Sequence, residues 1–251
     1  MTYQISAIVT TRKTNEKYLE KALKGVEFCN EIVVVVDDDK LLDRGSVKIA
    51  KKFTKNIYSR KLDNFANQKN FALKKASCKW VLFIDSDEII EPKLKNEIIQ
   101  AIKGSDIDGY EIPFKHIIFG KWIRYTGWYP SWRLTLFKAE KVRFSRGVHE
   151  QILISGKTEK LKEHIIHYNY DDIFQFVEKM NIYTDLEAKE LNKNNIKFSV
   201  LSMFFRSMKE FLSRYFKNLG FLDGIHGLVL SSLMTYYWLL VYIKLWSIQK
   251  K

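Results

Sequence analysis

Cysteine is nearly absent. Only Cys29 and Cys78 occur in 251 residues, with no Cys-x-x-Cys pair, which argues against a disulfide framework or structural zinc site and for a reducing compartment. Glycine is missing where a phosphate-cradling loop would need it: none precedes Gly25, so the stretch Thr10-Thr11-Arg12-Lys13-Thr14 is not glycine-rich. That weighs against a sugar nucleotidyltransferase, which commonly carries such a loop near its N-terminus. Nothing at the N-terminus marks export: the first apolar stretch is too short for a signal-peptide core, and basic residues follow it instead of preceding it. Internal repeats and low-complexity linkers are also lacking. Acidic charge is in deficit, with 29 Asp and Glu against 42 Lys and Arg, a formal net charge of +13. Such a field favours anionic partners, whether nucleic acid, anionic lipid headgroups or phosphorylated substrates, without choosing among them.

What is present begins with hydrophobic residues at 46%, enough for a packed core. Residues 3–10 are apolar and rich in β-branched side chains, which predicts a buried strand. Thr14 is a candidate cap for a helix with Leu19, Ala22, Leu23 and Val26 on one stripe. The run 31–38 reads as a strand covered on both faces. A short helix over 46–53, a strand over 56–59 and a longer helix over 64–76 follow. A second fully apolar strand, 80–84, leads into Asp85-Ser86-Asp87, and Pro92 opens a helix containing Leu94, Ile98, Ile99 and Ile102. Strands alternating with helices imply βαβ units and a mainly parallel sheet, an α/β fold. From about 108 to 170 the pattern changes to short strands and aromatic loops, and helical periodicity returns over 171–191.

The last fifty residues differ in kind. Residues 197–219 read as a basic amphipathic helix, with Val200, Met203, Phe204, Met208, Phe211, Leu212 and Tyr215 on its apolar side. Arg206, Lys209, Arg214 and Lys217 carry its charge. The uncharged run 228–243 then falls short of the roughly 20 residues of a straight membrane crossing. An in-plane helix fits it as well, and a helix closing the core is the plainer alternative.

Parallel sheets bind ligands at the carboxyl ends of their strands, and acids gather there: Asp37, Asp38 and Asp39 after one strand, Asp85 and Asp87 after another. An Asp-x-Asp pair at a strand end suits a hard divalent cation that shares diphosphate oxygens. Alone the pair is a weak signal; the apolar strand before it and the second acidic strand end strengthen it.

The order of features resembles a family-2 glycosyltransferase of GT-A fold, in particular the lipopolysaccharide-core β-glucosyltransferase branch. The segments that carry the likeness are Ser6-Ala7-Ile8-Val9-Thr10-Thr11, Glu31-Ile32-Val33-Val34-Val35-Val36-Asp37, Asn67-Gln68-Lys69-Asn70-Phe71-Ala72-Leu73 and Phe83-Ile84-Asp85-Ser86-Asp87-Glu88. Gly127-Trp128-Tyr129-Pro130, Arg133-Leu134-Thr135-Leu136-Phe137, Val148-His149-Glu150 and Gly220-Phe221-Leu222-Asp223-Gly224 continue it to the end. The resemblance implies a catalytic domain over 1–170, with nucleotide-sugar binding in 1–107 and the acceptor side in 108–170. A helical, membrane-associating region over 171–251 completes it. Thr10, Thr11 and Asp37 or Asp38 would contact the nucleotide, with Gln68 and Lys69 near the nucleotide-sugar; a solvated helix face is the alternative for the latter two. Asp85 and Asp87 would form the metal–diphosphate motif with Mg²⁺ or Mn²⁺, Asp87 the more direct ligand and His149 a candidate third. Glu150 would be the base for inverting transfer, an ion pair with Arg143 or Arg146 being the alternative. Trp128, Tyr129 and Arg133 would serve acceptor binding or the closing loop, while Trp132 is expected in the core. Departures are the longer loop 37–46, Lys69 where arginine is frequent, and Thr11-Arg12-Lys13 in place of a motif often carrying Asn-Glu.

The implied reaction passes a hexose from a UDP-sugar to a lipopolysaccharide core or other lipid-linked envelope glycan. It would run at the inner face of the cytoplasmic membrane, with no nucleic acid as partner. The competing class is a non-enzymatic basic module on anionic lipid or nucleic acid; no nucleic-acid motif supports it, and the basic residues are spread along the chain.

Overall fold

The computed structural model describes residues 4–12, 17–38, 45–103, 106–145 and 151–250; Thr14, Asp39, Arg146, His149 and Glu150 lie outside the described residues. In chain order the elements are β1 (Ile5–Arg12), α1 (Leu19–Gly25), β2 (Glu31–Asp37), α2 (Ser46–Ala50), β3 (Ile57–Ser59), α3 (Phe65–Leu73), β4 (Trp80–Asp85), β5 (Glu88–Ile89) and α4 (Pro92–Ala101). Then come β6 (Gly109–Ile118), β7 (Lys121–Trp122), β8 (Ser131–Lys138), β9 (Val142–Ser145), β10 (Gln151–Ile154), β11 (Thr158–Lys160), β12 (Ile165–Tyr170), α5 (Ile173–Lys193), α6 (Val200–Leu212) and α7 (Ile225–Gln249). They fall into two compact units: Met1–Phe114 with Trp132–Tyr168, and Lys115–Ser131 with Asn169–Lys251.

The first unit is α/β. Its sheet runs β3-β2-β1-β4-β8-β6-β12-β5, with β3, β2, β1 and β4 mutually parallel and β8 antiparallel to β4. The uninterrupted apolar strands are explained by cover on both faces. Ala7, Val9, Val34, Val36, Leu82 and Ile84 face one core with the stripe of α1 and with Leu94 and Ile98 of α4. Ile8, Val33, Val35, Val81 and Phe83 face a second core with Ala66 and Ala72 of α3. The expected helix over 46–53 is shorter, ending at Ala50. Asn64 caps α3 by accepting the Asn67 N–H at 2.8 Å, and Pro92 opens α4 as its fixed φ favours.

In the second unit α5, α6 and α7 pack together. Asp172 caps α5 by accepting the Gln175 N–H at 2.8 Å. Ile118 and Ile123 join Phe176, Met180 and Leu230 in one cluster, while Ala188, Val241, Tyr242 and Leu245 form another with Phe198 and Met203 against them. The segment 115–131, read from sequence as part of the acceptor side, clusters with these helices. Its tether is Asp223, 2% exposed, whose carboxylate accepts the backbone N–H groups of Arg124 (3.2 Å) and Tyr125 (2.8 Å) and the Thr126 hydroxyl (3.1 Å). The Asp223 carbonyl takes Lys121 Nζ at 2.7 Å. Gly227 must be glycine: a Cβ there would stand 1.7 Å from the Gly220 carbonyl oxygen.

Candidate active site

Parallel alignment brings the acidic strand ends to one edge of the sheet. Thr10 of β1 lies in register with Asp85 of β4, and Arg12 with Asp37 of β2. Thr10 Oγ1 donates to Asp85 Oδ1 at 2.6 Å, and the Ser86 N–H returns to the Thr10 carbonyl at 3.0 Å. The strand end carrying the acids is thereby tied to its neighbour on both sides of the turn. Thr11 is buried beside Ser46, their hydroxyls 3.5 Å apart. Asp37 accepts the Leu62 N–H at 2.9 Å, so its carboxylate also pins the loop leading to α3.

Behind Asp85 stands Glu88, fully buried. One of its oxygens accepts the Asp85 N–H at 2.9 Å, and Arg133 Nη2 donates to both, at 2.7 and 2.5 Å. Arg133 Nη1 also reaches within 3.6 Å of Asp85 Oδ2, and its guanidinium lies 4.3 Å from the centre of the Phe114 ring. The β12–β5 pairing sets His167 opposite Glu88, with Nε2 3.6 Å from Asp87 Oδ1. The Tyr168 N–H holds the Asp87 carbonyl at 2.9 Å.

The electrostatics follow from this crowding. Burial pushes the Asp85 carboxyl up, but Lys69, Arg133 and the Thr10 hydrogen bond outweigh it and hold Asp85 at about 2. For Glu88 burial prevails, reinforced by Asp85 and Asp87 against the pull of Arg133, and its carboxyl is raised. Burial alone would lower His167, yet the carboxylates of Asp87 and Glu88 raise it. One atom each of Asp87, Glu88 and His167 lie within 4.8 Å of one another. Arg133 already engages both Glu88 oxygens, which leaves Asp87 and His167 as the freer donors of a cluster that could hold a metal ion.

Gln68 and Lys69 are buried, 5% and 8% exposed, which corrects the solvated-face alternative. The Gln68 amide is clamped by Arg60, accepting from its guanidinium at 3.0 Å and donating to its carbonyl at 3.2 Å. Lys69 Nζ lies 5.3 Å from the Phe83 ring and 5.7 Å from the Phe144 ring, and its charge is felt at Asp85. Next to it, the Asn70 side chain donates to the Phe144 carbonyl at 2.7 Å and accepts the Phe144 N–H at 3.0 Å. One helix side chain thereby pairs with β9 as another strand would.

The structure thus gathers Thr10, Asp85, Asp87, Lys69 and Arg133 around one strand end. Trp128 and Tyr129 belong to the second unit, where Trp128 packs in a T-shape on His116 and on Tyr170, and Tyr129 on Trp122. Trp132 is not core. It is 37% exposed at the start of β8, with Lys160 Nζ 4.6 Å from its ring centre, because the strand begins at the sheet margin before its side chains turn inward. Sequence reasoning gave no role to Glu88 or His167. A lone acid after Asp-x-Asp and a lone histidine in an apolar strand carry no local signal that they meet.

A parallel sheet with paired carboxylates at its carboxyl edge and a lysine and arginine beside them is the frame of a nucleotide-sugar-type GT-A transferase. The sequence profile described as "Glycosyl transferase family 2" matches residues 6–208. The chain belongs to glycosyl transferase family 2. It is 27% identical to an uncharacterized glycosyltransferase of Rickettsia conorii, over 94% of this chain and 87% of that one. It is 24% identical to the lipopolysaccharide core biosynthesis glycosyltransferase LpsC of Rhizobium meliloti, over 85% of this chain and 82% of that one. Among solved structures it is similar to S. aureus TarS 1-349 in complex with UDP-GlcNAc, with a TM-score of 0.47, 16% identity and coverage of 96% of this chain and 89% of that one.

Proposed function

We propose that the protein is an inverting hexosyltransferase that moves a sugar, glucose or a close relative, from a UDP-sugar to a lipopolysaccharide core or another lipid-linked envelope glycan. The observation that carries this reading is the Thr10–Asp85–Asp87 edge with Lys69 and Arg133 around it. Such an edge suits a diphosphate and its cation better than any neutral ligand. The role of LpsC in lipopolysaccharide core biosynthesis supports the acceptor class. The site works at the inner face of the cytoplasmic membrane, where a lipid-linked acceptor is presented.

Asp87, with Asp85 and the nitrogen of His167, would hold the Mg²⁺ or Mn²⁺ ion. When bound, that ion neutralises charge on the departing diphosphate. Thr10 and Arg133 fix the Asp85 carboxylate so that it need not reorganise. Lys69 adds a point charge on the same side, whereas an arginine would offer a planar fork. Thr11 and Asp37 or Asp38 meet the nucleotide at the ends of β1 and β2, and Gln68 lines the approach from α3. Glu150 takes the proton from the acceptor hydroxyl as that oxygen attacks the anomeric carbon, and His149 serves as a further metal ligand or diphosphate contact. Trp128 and Tyr129 offer aromatic faces to the acceptor. Arg133 serves the donor side through Glu88 and Asp85 as well as any acceptor phosphate.

The test is calorimetric titration with UDP and UDP-glucose, first with Mn²⁺ and then with EDTA. Binding that needs the metal and disappears in Asp87→Ala is the expected result. Failure of UDP and every UDP-sugar to bind in either condition would refute the donor assignment.

A further inference from the structure

The second unit carries an apolar surface that no other described residue covers. On α6 the side chains of Leu201, Phe204, Phe205, Met208 and Leu212 are between 42% and 69% exposed. Their spacing of three and four residues puts them on one side of the helix. The opposite side is the packed one: Ser207 is buried, and Met203 rests against the Val241–Leu245 cluster of α7. Amphipathic helices of soluble domains turn their large apolar residues inward; α6 turns them out. Phe216, 54% exposed, extends the same surface beyond the end of α6.

Charge identifies what fits there. From residue 191 to residue 251 the sequence holds only two acids, Glu210 and Asp223, against nine lysines and arginines. Both acids are consumed internally: Glu210 by Arg214 Nε at 2.6 Å, Asp223 by the tether already described. Lys197, Lys209 and Lys217 are exposed along the same stretch. Aromatic and aliphatic side chains bordered by cations, with the few acids neutralised, match an anionic lipid surface. A second protein chain would call for no such one-sided charge.

Among the described residues, α7 is the helix long and apolar enough to cross a bilayer, but its packing argues against crossing. Lys244, in its last third, reaches Asp185 at 2.7 Å and Thr184 Oγ1 at 2.8 Å on α5. Helix α5 carries Glu178, Lys179, Glu187, Lys189 and Glu190 as well. A crossing α7 would either shed α5 or draw those charges into hydrocarbon, which is costly. We infer that α6 is an in-plane docking helix for anionic membrane, backed by α7 as a scaffold that does not span. This deepens the membrane-facing part of the proposed function and names the surface that does the docking; it does not depend on the identity of the sugar.

The test is flotation of the full chain with vesicles of pure phosphatidylcholine and of phosphatidylcholine with 30% phosphatidylglycerol, about that fraction being enough to give an anionic surface. Flotation with the anionic vesicles only, release by alkaline carbonate, and at least about a tenfold loss of binding in Phe204→Ser/Phe205→Ser are expected. Circular dichroism and UDP titration of the double variant should be unchanged, which separates a lost surface from a lost fold or an incorrect donor. Equal binding of the double variant, or resistance to carbonate extraction, would overturn the docking role or the non-spanning α7 respectively. A chain that binds no vesicles but sediments as a dimer broken by the same double substitution would assign the surface to a second copy and overturn the inference.

Discussion

Glu88 in the first unit and Asp223 in the second are both buried carboxylates, and each is fully engaged, but by different kinds of donor. Asp223 is met by two backbone N–H groups and a hydroxyl from consecutive residues. Those donors are fixed by the chain itself, so the acid determines the path of the segment 124–126. Glu88 is met by Arg133, whose other nitrogen reaches toward Asp85. Its partner is a charge with a second contact, so Glu88 determines where another carboxylate stands. The first arrangement holds backbone; the second holds an electrostatic field. Removing either acid should therefore show up in different measurements.

The largest effect is expected at Asp87, two residues beyond the Asp85 carboxylate that Glu88 and Arg133 position. Asp87→Ala should cut transfer by about a hundredfold or more, the scale of a lost metal contact, while its denaturation midpoint stays near wild type. Full activity would break the metal assignment. Asp223→Ala leaves buried donors without an acceptor and should lower stability by about 3 kcal/mol in urea unfolding. If the residual folded fraction keeps its affinity for UDP, the distinction between the two acids is sharpened. Arg133→Lys retains the charge but loses the paired geometry toward Glu88 and Asp85. Roughly a tenfold fall in kcat/KM with little change in stability is expected, equivalent to about 1.4 kcal/mol; an unchanged rate would leave Arg133 as packing.

Acid sensitivity gives a smaller effect. Asp85 is held at about 2, below the ordinary value near ~3.9. Its contribution to stability is therefore complete above about pH 4 and is lost as pH falls toward 2. The stability difference between wild type and Asp85→Asn, followed by denaturant titration, should narrow over that window and stay flat from pH 5 to 7. Smallest of all is the thiol. Burial, then the neighbouring Cys78, pushes Cys29 far above the ordinary thiol range. Iodoacetamide at pH 8 should leave Cys29 unmodified in the folded protein and label it promptly in urea, as read by mass spectrometry.

The architecture was legible wherever a pattern is local. The apolar runs of β1, β2 and β4 announced a doubly covered sheet, and their acidic ends announced the edge where ligands bind. The α1 stripe of Leu19, Ala22, Leu23 and Val26 is buried as its spacing required. What escaped was created by pairing between distant segments. His167 approaches Asp87 only because the two-residue strand β5 meets β12, and two residues have no periodicity to read. Glu88 resembles any surface acid until the sheet closes over it. The amphipathic character of α6 was legible, but not its facing: Met203, read on the apolar side, packs against α7, while Leu201 and Phe205 turn outward, because periodicity gives the width of a stripe but not which side has company.

The amide of Asn70 has a mechanical consequence. By pairing with both backbone groups of Phe144, it fastens β9 to α3 one residue from Lys69, whose charge Asp85 feels. A displacement of β9 by even a fraction of its strand spacing has to stretch that amide or carry α3 along with it. The point at which the chain leaves for 146–150 is thus bolted to the helix that bears the lysine. Asn70→Leu, which removes both bonds to Phe144, would loosen the bolt without adding a charge beside Lys69.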